Sequence, residues 1–148
     1  MARRVFFSFD YQRDIFRVNE IRNIPNVIGC AAAGFQDASI WEQTTKKGDV
    51  AIKALIDQGL DGTAVTVMCV GSKTAGRTYI NYEIDQSIAR GNGIVAVRIH
   101  HLKDKDGKAD WAGAIPSRIE ARGYKAYEYV DHAYLGRWIE EAAKAAGR

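Results

Sequence analysis

The sequence holds only two cysteines, two prolines and three histidines in 148 residues. Cys30 and Cys69 lie far apart, each in an apolar run, and no C-x-x-C pair occurs. This excludes a disulfide framework and, with so few histidines, a zinc-finger spacing. Both thiols are expected to be free and buried, as in a reducing compartment. Charge of one sign is lacking too: 21 basic against 18 acidic residues leave a formal +3. Such a balance gives no reason to expect the clustered basic face that nucleic acid requires. Long hydrophobic runs are missing. The stretch 5–9 falls short of a signal-peptide core of about 7–15 residues, and nothing approaches the ~20 of a membrane helix. A cytoplasmic protein without a membrane partner is therefore expected.

What is present suits a globular chain. An apolar fraction of 47% beside 26% charged residues excludes disorder by composition. At this length roughly 68–70% of the unfolded surface can be buried, so one domain over 1–148 can build a core unaided. No repeat, linker or low-complexity segment interrupts it.

Short solid strands alternate with amphipathic segments. Val5-Phe6-Phe7-Ser8-Phe9 predicts a first strand, buried on both faces because it does not alternate. Ile15, Val18, Ile21 and Ile24 share a helical face over 14–24, which Pro25 ends. A weak strand follows at 27–31, then a loop of functional type over 34–45. A helix over 47–58 is expected to stop at Gly59, and 63–70 is the clearest strand. Ile80, Ile84 and Ile88 mark a helix over 77–89, ended by Gly91-Asn92-Gly93 before a strand at 94–99. Residues 100–117 form a polar surface excursion, 124–130 a last strand, and Asp131 caps a final helix with Leu135, Trp138, Ile139 and Ala142 inward. This order predicts an α/β fold with a mostly parallel sheet covered on both faces. Ligands in such sheets bind beyond the carboxyl ends of the strands, here 8–11, 33–41 and 71–77.

Three stretches there could carry chemistry. Gly71-Ser72-Lys73-Thr74-Ala75-Gly76-Arg77-Thr78 fits a P-loop except that Arg77 replaces the lysine that reaches the β/γ-phosphates. Without that lysine or a partner Asp for magnesium, the loop reads as a helix-capping turn that could still hold a pyrophosphate. Glu83 falls about 60° from the isoleucine stripe at 100° per residue. A carboxylate at that edge is partly desolvated, which raises its pKa; a surface Glu paired with Arg77 or Arg90 is the plain alternative. Trp41 and Tyr11 could stack a flat ring. His100-His101 has no third ligand in register, and Asp104-Lys105-Asp106-Gly107 lacks the twelfth-position Glu of a calcium loop. No metal site is expected.

Arg-Arg-Val-Phe-Phe-Ser-Phe-Asp at the start resembles the first strand of TIR domains. Val-Met-Cys-Val-Gly-Ser-Lys-Thr-Ala-Gly-Arg-Thr-Tyr-Ile-Asn-Tyr-Glu-Ile, ending at Ile84, is similar more specifically to the TIR-like family of the bacterial Thoeris anti-phage system. Phe35-Gln36-Asp37-Ala38-Ser39 and Leu135-Gly136-Arg137-Trp138-Ile139-Glu140 carry the likeness along nearly the whole chain. The resemblance implies a flavodoxin-like, TIR-type three-layer sandwich with NAD as substrate rather than cofactor. It implies Glu83 as the catalytic glutamate, release of nicotinamide, and a cyclic ADP-ribose isomer that activates a separate effector protein. Ser8, Phe9, Asp10, Asp37, Ser39 and Trp41 are then candidates for the pocket wall. Arg77 would meet phosphate or brace Asp10 or Asp37. Phe9 departs from the tyrosine more common after that serine.

Two other classes stay open at this point. One is a catalytically silent TIR-like module acting by assembly, including into homo-oligomers. The other is a nucleoside deoxyribosyltransferase-like enzyme, which also sets a carboxylate on a flavodoxin-like sheet. The linkage of a cyclic product, the trigger, the oligomeric state and the activity of the resting protein are beyond what the residues specify.

Overall fold

A computed structural model describes residues 3–21, 27–30 and 43–148. The expected helix end at 22–25, the strand end at Ala31 and the loop over 34–42 lie outside the described residues. Five strands form one sheet: β1 (Arg3–Ser8), β2 (Val27–Cys30), β3 (Val65–Val70), β4 (Gly93–Arg98) and β5 (Ala126–Glu128). Among the described residues, five helices of five residues or more accompany them: α1 (Ile15–Ile21), α2 (Asp49–Leu60), α3 (Thr78–Ala89), α4 (Ser117–Ala121) and α5 (His132–Ala145).

The strand order is β2-β1-β3-β4-β5, and each adjacent pair is parallel. This is the flavodoxin-like order, in which the chain reverses its direction of winding between β1 and β3. All six residues of β3 are buried, so it has no solvent side for polar residues to face. Alternation along it still sorts side chains between two cores. Val65, Val67 and Cys69 join Val95, Val97 and Ile99 under α1 and α5. Met68 and Val70 join Ile94 and Ala96 under α3 and α4, while α2 packs beside α3. A three-layer sandwich results.

Several boundaries differ from the sequence expectation. Gly59 does not stop α2, which runs on to Leu60; the left-handed turn falls at Gly62, with φ of 75°. A glycine within a helix costs about 1 kcal/mol but does not end it unless the backbone must turn there. Where the excursion ends, at Ser117, α4 begins, and its five residues are too few for periodicity to reveal. The last strand shrinks to Ala126–Glu128 at the sheet edge. Asp131 does cap α5, accepting a hydrogen bond from the Tyr134 amide at 2.9 Å. The inner face of α5 turns slightly, burying Ala143 in place of half-buried Ala142. Cys69 is wholly buried. Among the described residues no helix is long and apolar enough to cross a membrane.

Close approach of α5 to β4 depends on Gly93, where a Cβ would overlap the backbone carbonyl of Ala142. Gly136, inside α5, has open space around it. Gly93→Ala is expected to destabilise the fold by about 1–3 kcal/mol, since backbone must move to admit the methyl group. Gly136→Ala should stabilise it by about 0.5–1 kcal/mol through helix propensity. Urea unfolding of the two variants checks both signs; equal effects would contradict the packing described.

Candidate active site

The loops after β1 and β3 meet at the switch point, and α3 begins beside them. Gly76 adopts φ of 83°, a conformation that favours glycine, and turns the chain into α3. Gly71 is held open for another reason: a Cβ there would overlap the carboxylate of Asp14 at the start of α1. The Thr74 hydroxyl accepts from the Gly71 amide at 2.8 Å and closes the loop. Arg77 ends that loop as the N-cap of α3, and among the described residues no side chain caps the helix's first amides. Those amides and the helix dipole are available to an anion.

Glu83 does not sit at the edge of the apolar stripe but fully inside it, at 0% exposure between Ile80 and Ile84. A seam of hydroxyls under α3 holds it there. The Ser87 hydroxyl donates to the Glu83 carbonyl at 2.7 Å and lies 2.7 Å from the Thr66 hydroxyl on β3. The Asn92 amide then donates to Thr66 and Thr63. At the carboxylate itself, Ser8 donates to Oε1 at 2.7 Å and Tyr11 to Oε2 at 2.6 Å. Among the described residues no cation pairs with it. Arg77 goes to Asp10 at 3.1 Å, and Arg90 to Asp61 at 3.8 Å. Burial therefore pushes the Glu83 carboxyl up to about 8, against the opposing pull of the Tyr11 and Ser8 hydrogen bonds.

Above this carboxylate lies a cavity of about 410 Å³ lined by Phe9, Asp10, Tyr11, Gln12, Tyr79, Ile80 and the turn Gly76-Arg77-Thr78. It is a size that admits a nucleoside-sized group. A larger cavity of about 490 Å³ lies at the other end of the sheet, between β4, β5 and α5. Among the described residues no buried titratable group lines that one, so the Glu83 cavity is the candidate site.

Of the residues singled out in the sequence, Ser8, Phe9, Asp10 and Arg77 gather around Glu83. Phe9 is buried, its ring 4.5 Å from that of Tyr11. Asp10 accepts from the amides of Gln12 and Arg13 and receives half-exposed Arg77, so Arg77 braces Asp10. Asp37, Ser39 and Trp41 lie outside the described residues. Sequence reasoning missed the role of Tyr11, noted only as a stacking candidate. Its place three residues beyond Ser8, past the strand end, is the signal that could have found it.

Also missed was a polar rim. Arg13 donates to Asp110 at 2.7 Å and to the Ser72 hydroxyl, which itself donates to Asp110 at 2.6 Å. These bonds, that from Ser72 foremost, hold the Asp110 carboxyl down to about 2. Buried Asp14 pairs with Arg17 at 2.9 Å, and Arg17 donates onward to the carbonyls of Leu102 and Lys108. The excursion over 100–116 is thus tied back to the loops of the site.

Residues 6–104 match the family described as Thoeris protein ThsB, TIR-like domain. The chain belongs to this family. A curated relative from Bacillus cereus (strain MSX-D12), named "Putative cyclic ADP-D-ribose synthase ThsB1", is 42% identical over 136 residues. The match covers 90% of this chain but 66% of the relative, a little under two thirds of its length. Glu83, Ser8, Asp10 and Arg77 all fall within the part that the family matches.

The carboxyl of Glu83 binds its proton more tightly in the folded protein, about 8 against an ordinary 4.5. Its contribution to stability is fully present below about 4.5 and is lost as the pH rises through about 8. Asp14, pushed up to about 6 chiefly by burial, acts in the same direction over a lower window. Stability should therefore fall on the order of a few kcal/mol between those limits, and Glu83→Gln should flatten the decline above pH 6. Urea unfolding at pH 5, 6.5 and 8.5 measures the slope; identical slopes in the two proteins would sink the account of a buried, unpaired carboxyl.

Proposed function

We propose that the chain cleaves the bond between nicotinamide and ribose in NAD and recloses the remaining ADP-ribose into a cyclic isomer. Its product would serve in anti-phage defence as a cytoplasmic signal to a separate effector protein. The observation that carries the reading is a wholly buried carboxyl with two neutral hydroxyl donors and, among the described residues, no cationic partner, at the floor of a cavity at the sheet's switch point. The family assignment and the relative's name support the same reading.

The chemistry follows from that environment. The electrons of the C1′–N bond leave with neutral nicotinamide, and positive charge develops on the ribose as in other glycosidic cleavages. An anion fixed beside that charge in a dry site lowers the barrier without having to reorganise. Glu83, mostly protonated at pH 7, releases its proton to solvent as the cationic pyridinium of NAD binds and stabilises the anion. Ser8 and Tyr11 hold both carboxylate oxygens in place, so no rotation is needed in the reaction. A nucleophilic atom of the adenosine half then attacks C1′ and gives up its proton, forming the cyclic product. Water competes for the same carbon, so positioning within the cavity decides between cyclisation and hydrolysis. Arg77 and the open amides of α3 suit the pyrophosphate that links the two halves.

Two variants test this. Glu83→Gln should abolish nicotinamide release, read by chromatography with mass detection of nucleotides from phage-challenged cells, while its melting temperature at pH 8 matches or exceeds the parent's. Turnover at the parental rate would discard the assignment, and defended cells without a cyclic species or loss of NAD would favour a module acting by assembly. Tyr11→Phe removes a bond that favours the ionised carboxyl. The ascending limb of its kcat/KM against pH should move upward, with a loss of about tenfold at neutral pH. A rate loss without that displacement would show that Tyr11 acts only in packing.

A further inference from the structure

His100 and His101 follow β4 directly, and Glu128 is the last residue of β5, in register with Arg98. Sequence spacing could not place Glu128 beside the histidines, because 27 positions separate it from His101. Parallel pairing of β4 and β5 does so. Glu128 Oε1 stands 3.6 Å from His100 Nε2 and 3.9 Å from His101 Nδ1, and one ligand atom from each residue fits within 4.8 Å of the others.

Hydrogen bonding settles the protonation of one ring. His101 Nε2 lies 2.7 Å from the backbone carbonyl of Tyr129. A carbonyl only accepts, so Nε2 carries the proton and the neutral ring presents a bare lone pair at Nδ1. That lone pair is buried without a hydrogen-bond partner and faces a carboxylate oxygen. Two acceptors turned toward each other need a positive charge between them. A bound cation could supply it, with the His100 ring 5.2 Å away by centroid as a further ligand. The Arg98 guanidinium is committed elsewhere, donating to the Gly113 carbonyl at 2.7 Å.

From this geometry we propose that His100, His101 and Glu128 form a divalent metal site of the zinc type, joining β4 to β5. Two imidazoles and one carboxylate are a ligand set that Zn²⁺ takes with a fourth position open to water. Metal–ligand bonds of about 2.0–2.2 Å in a tetrahedron set the ligands roughly 3.4 Å apart, so small side-chain movements close the site. The bond from His101 to the Tyr129 carbonyl is the outer-shell contact that orients a ligating histidine and fixes its tautomer. Glu128 is exposed, which leaves a path for entry and for the bound water. The metal would clamp a three-residue edge strand. It would also steady the segment whose Asp110 amide donates to the His100 carbonyl at 2.8 Å and whose Asp110 side chain binds Arg13 and Ser72.

The test is a calorimetric titration of tag-free, metal-stripped full-length chain with ZnCl₂, alongside His101→Ala, Glu128→Gln and His132→Ala. The third histidine of the chain, His132, lies near the Glu20 carbonyl and serves as the control. One zinc per chain is expected in the parent and in His132→Ala, with at least about tenfold weaker binding in His101→Ala and Glu128→Gln. Substituting Co²⁺ should give the visible absorption of a tetrahedral site. Exposed Glu128→Gln keeps the test decisive if His101→Ala does not fold. Binding well below one equivalent, or unchanged in both variants, overturns the proposal. So does nitrogen NMR showing His101 protonated on both ring nitrogens at pH 7.5 after zinc addition.

Discussion

The side chain of Glu83 is wholly buried, and among the described residues two hydroxyl groups are the donors at its carboxyl. A buried carboxylate normally comes with a cation, because desolvation of the ion otherwise outweighs what neutral donors return. Here the cations of the neighbourhood are engaged with other acids, Arg77 with Asp10 and Arg17 with Asp14. The arrangement makes sense if the missing positive charge is brought by the ligand. Folding then tolerates a protonated acid, and binding supplies the reason to ionise it. Stability is given up at the position where it would compete with function.

Everything around Glu83 serves to keep it from relaxing. The helix that bears it is stitched to β3 through Ser87, Thr66 and Asn92, so the carboxyl cannot swing toward solvent without breaking that seam. Ser8 sits at the end of β1, paired in register with Met68 of β3, and Tyr11 closes the other carboxylate oxygen from the following turn. Ser8 thus hangs from a central strand, and Tyr11 from the turn that directly follows it. The rim is fixed less directly: Asp14 and Arg17 at the start of α1 hold the 100–116 excursion, and Asp110 returns from it to Arg13 and Ser72.

The layers were legible because burial leaves a period in the chain. Solid apolar strands at 5–8 and 65–70, and isoleucines at 80, 84 and 88, can satisfy only a sheet covered on both faces. Glu83 was legible as an oddity beside that isoleucine stripe. Its depth was not, since an angle on an isolated helix cannot say how far the neighbouring strand reaches over it. Tyr11 was visible as an aromatic but not as a donor, because its hydroxyl meets Glu83 only once β1 and α3 are laid side by side. The helix stop at Gly59 failed for a related reason. A glycine marks a turn only where the backbone takes positive φ, and here Gly62 does so three residues later. Glu128 meets the histidine pair solely through strand pairing, a contact that no local pattern encodes.

The loop over 71–78 shows how far a motif can mislead when one residue changes. With lysine at 77 it would read as a nucleoside-triphosphate cradle. Arginine instead extends its fork sideways, donating to the Lys73 carbonyl and meeting Asp10 across the cavity mouth. A triphosphate site also needs magnesium and an acid to hold it, whereas the acids near this loop are already engaged: Asp10 with Arg77, Asp14 with Arg17, Asp110 with Arg13. What remains is an uncapped helix start and a half-exposed guanidinium able to exchange Asp10 for another anion. That is enough for a pyrophosphate carrying no metal, a linkage whose two phosphates leave a ribose on either side. The distance from the start of α3 to Glu83 is about one and a half turns, or roughly 8 Å at 1.5 Å per residue. A phosphate at one end and a ribose C1′ at the other is a separation that a nucleoside phosphate spans, which is the span the proposed reading asks of this helix between its first amides and Glu83.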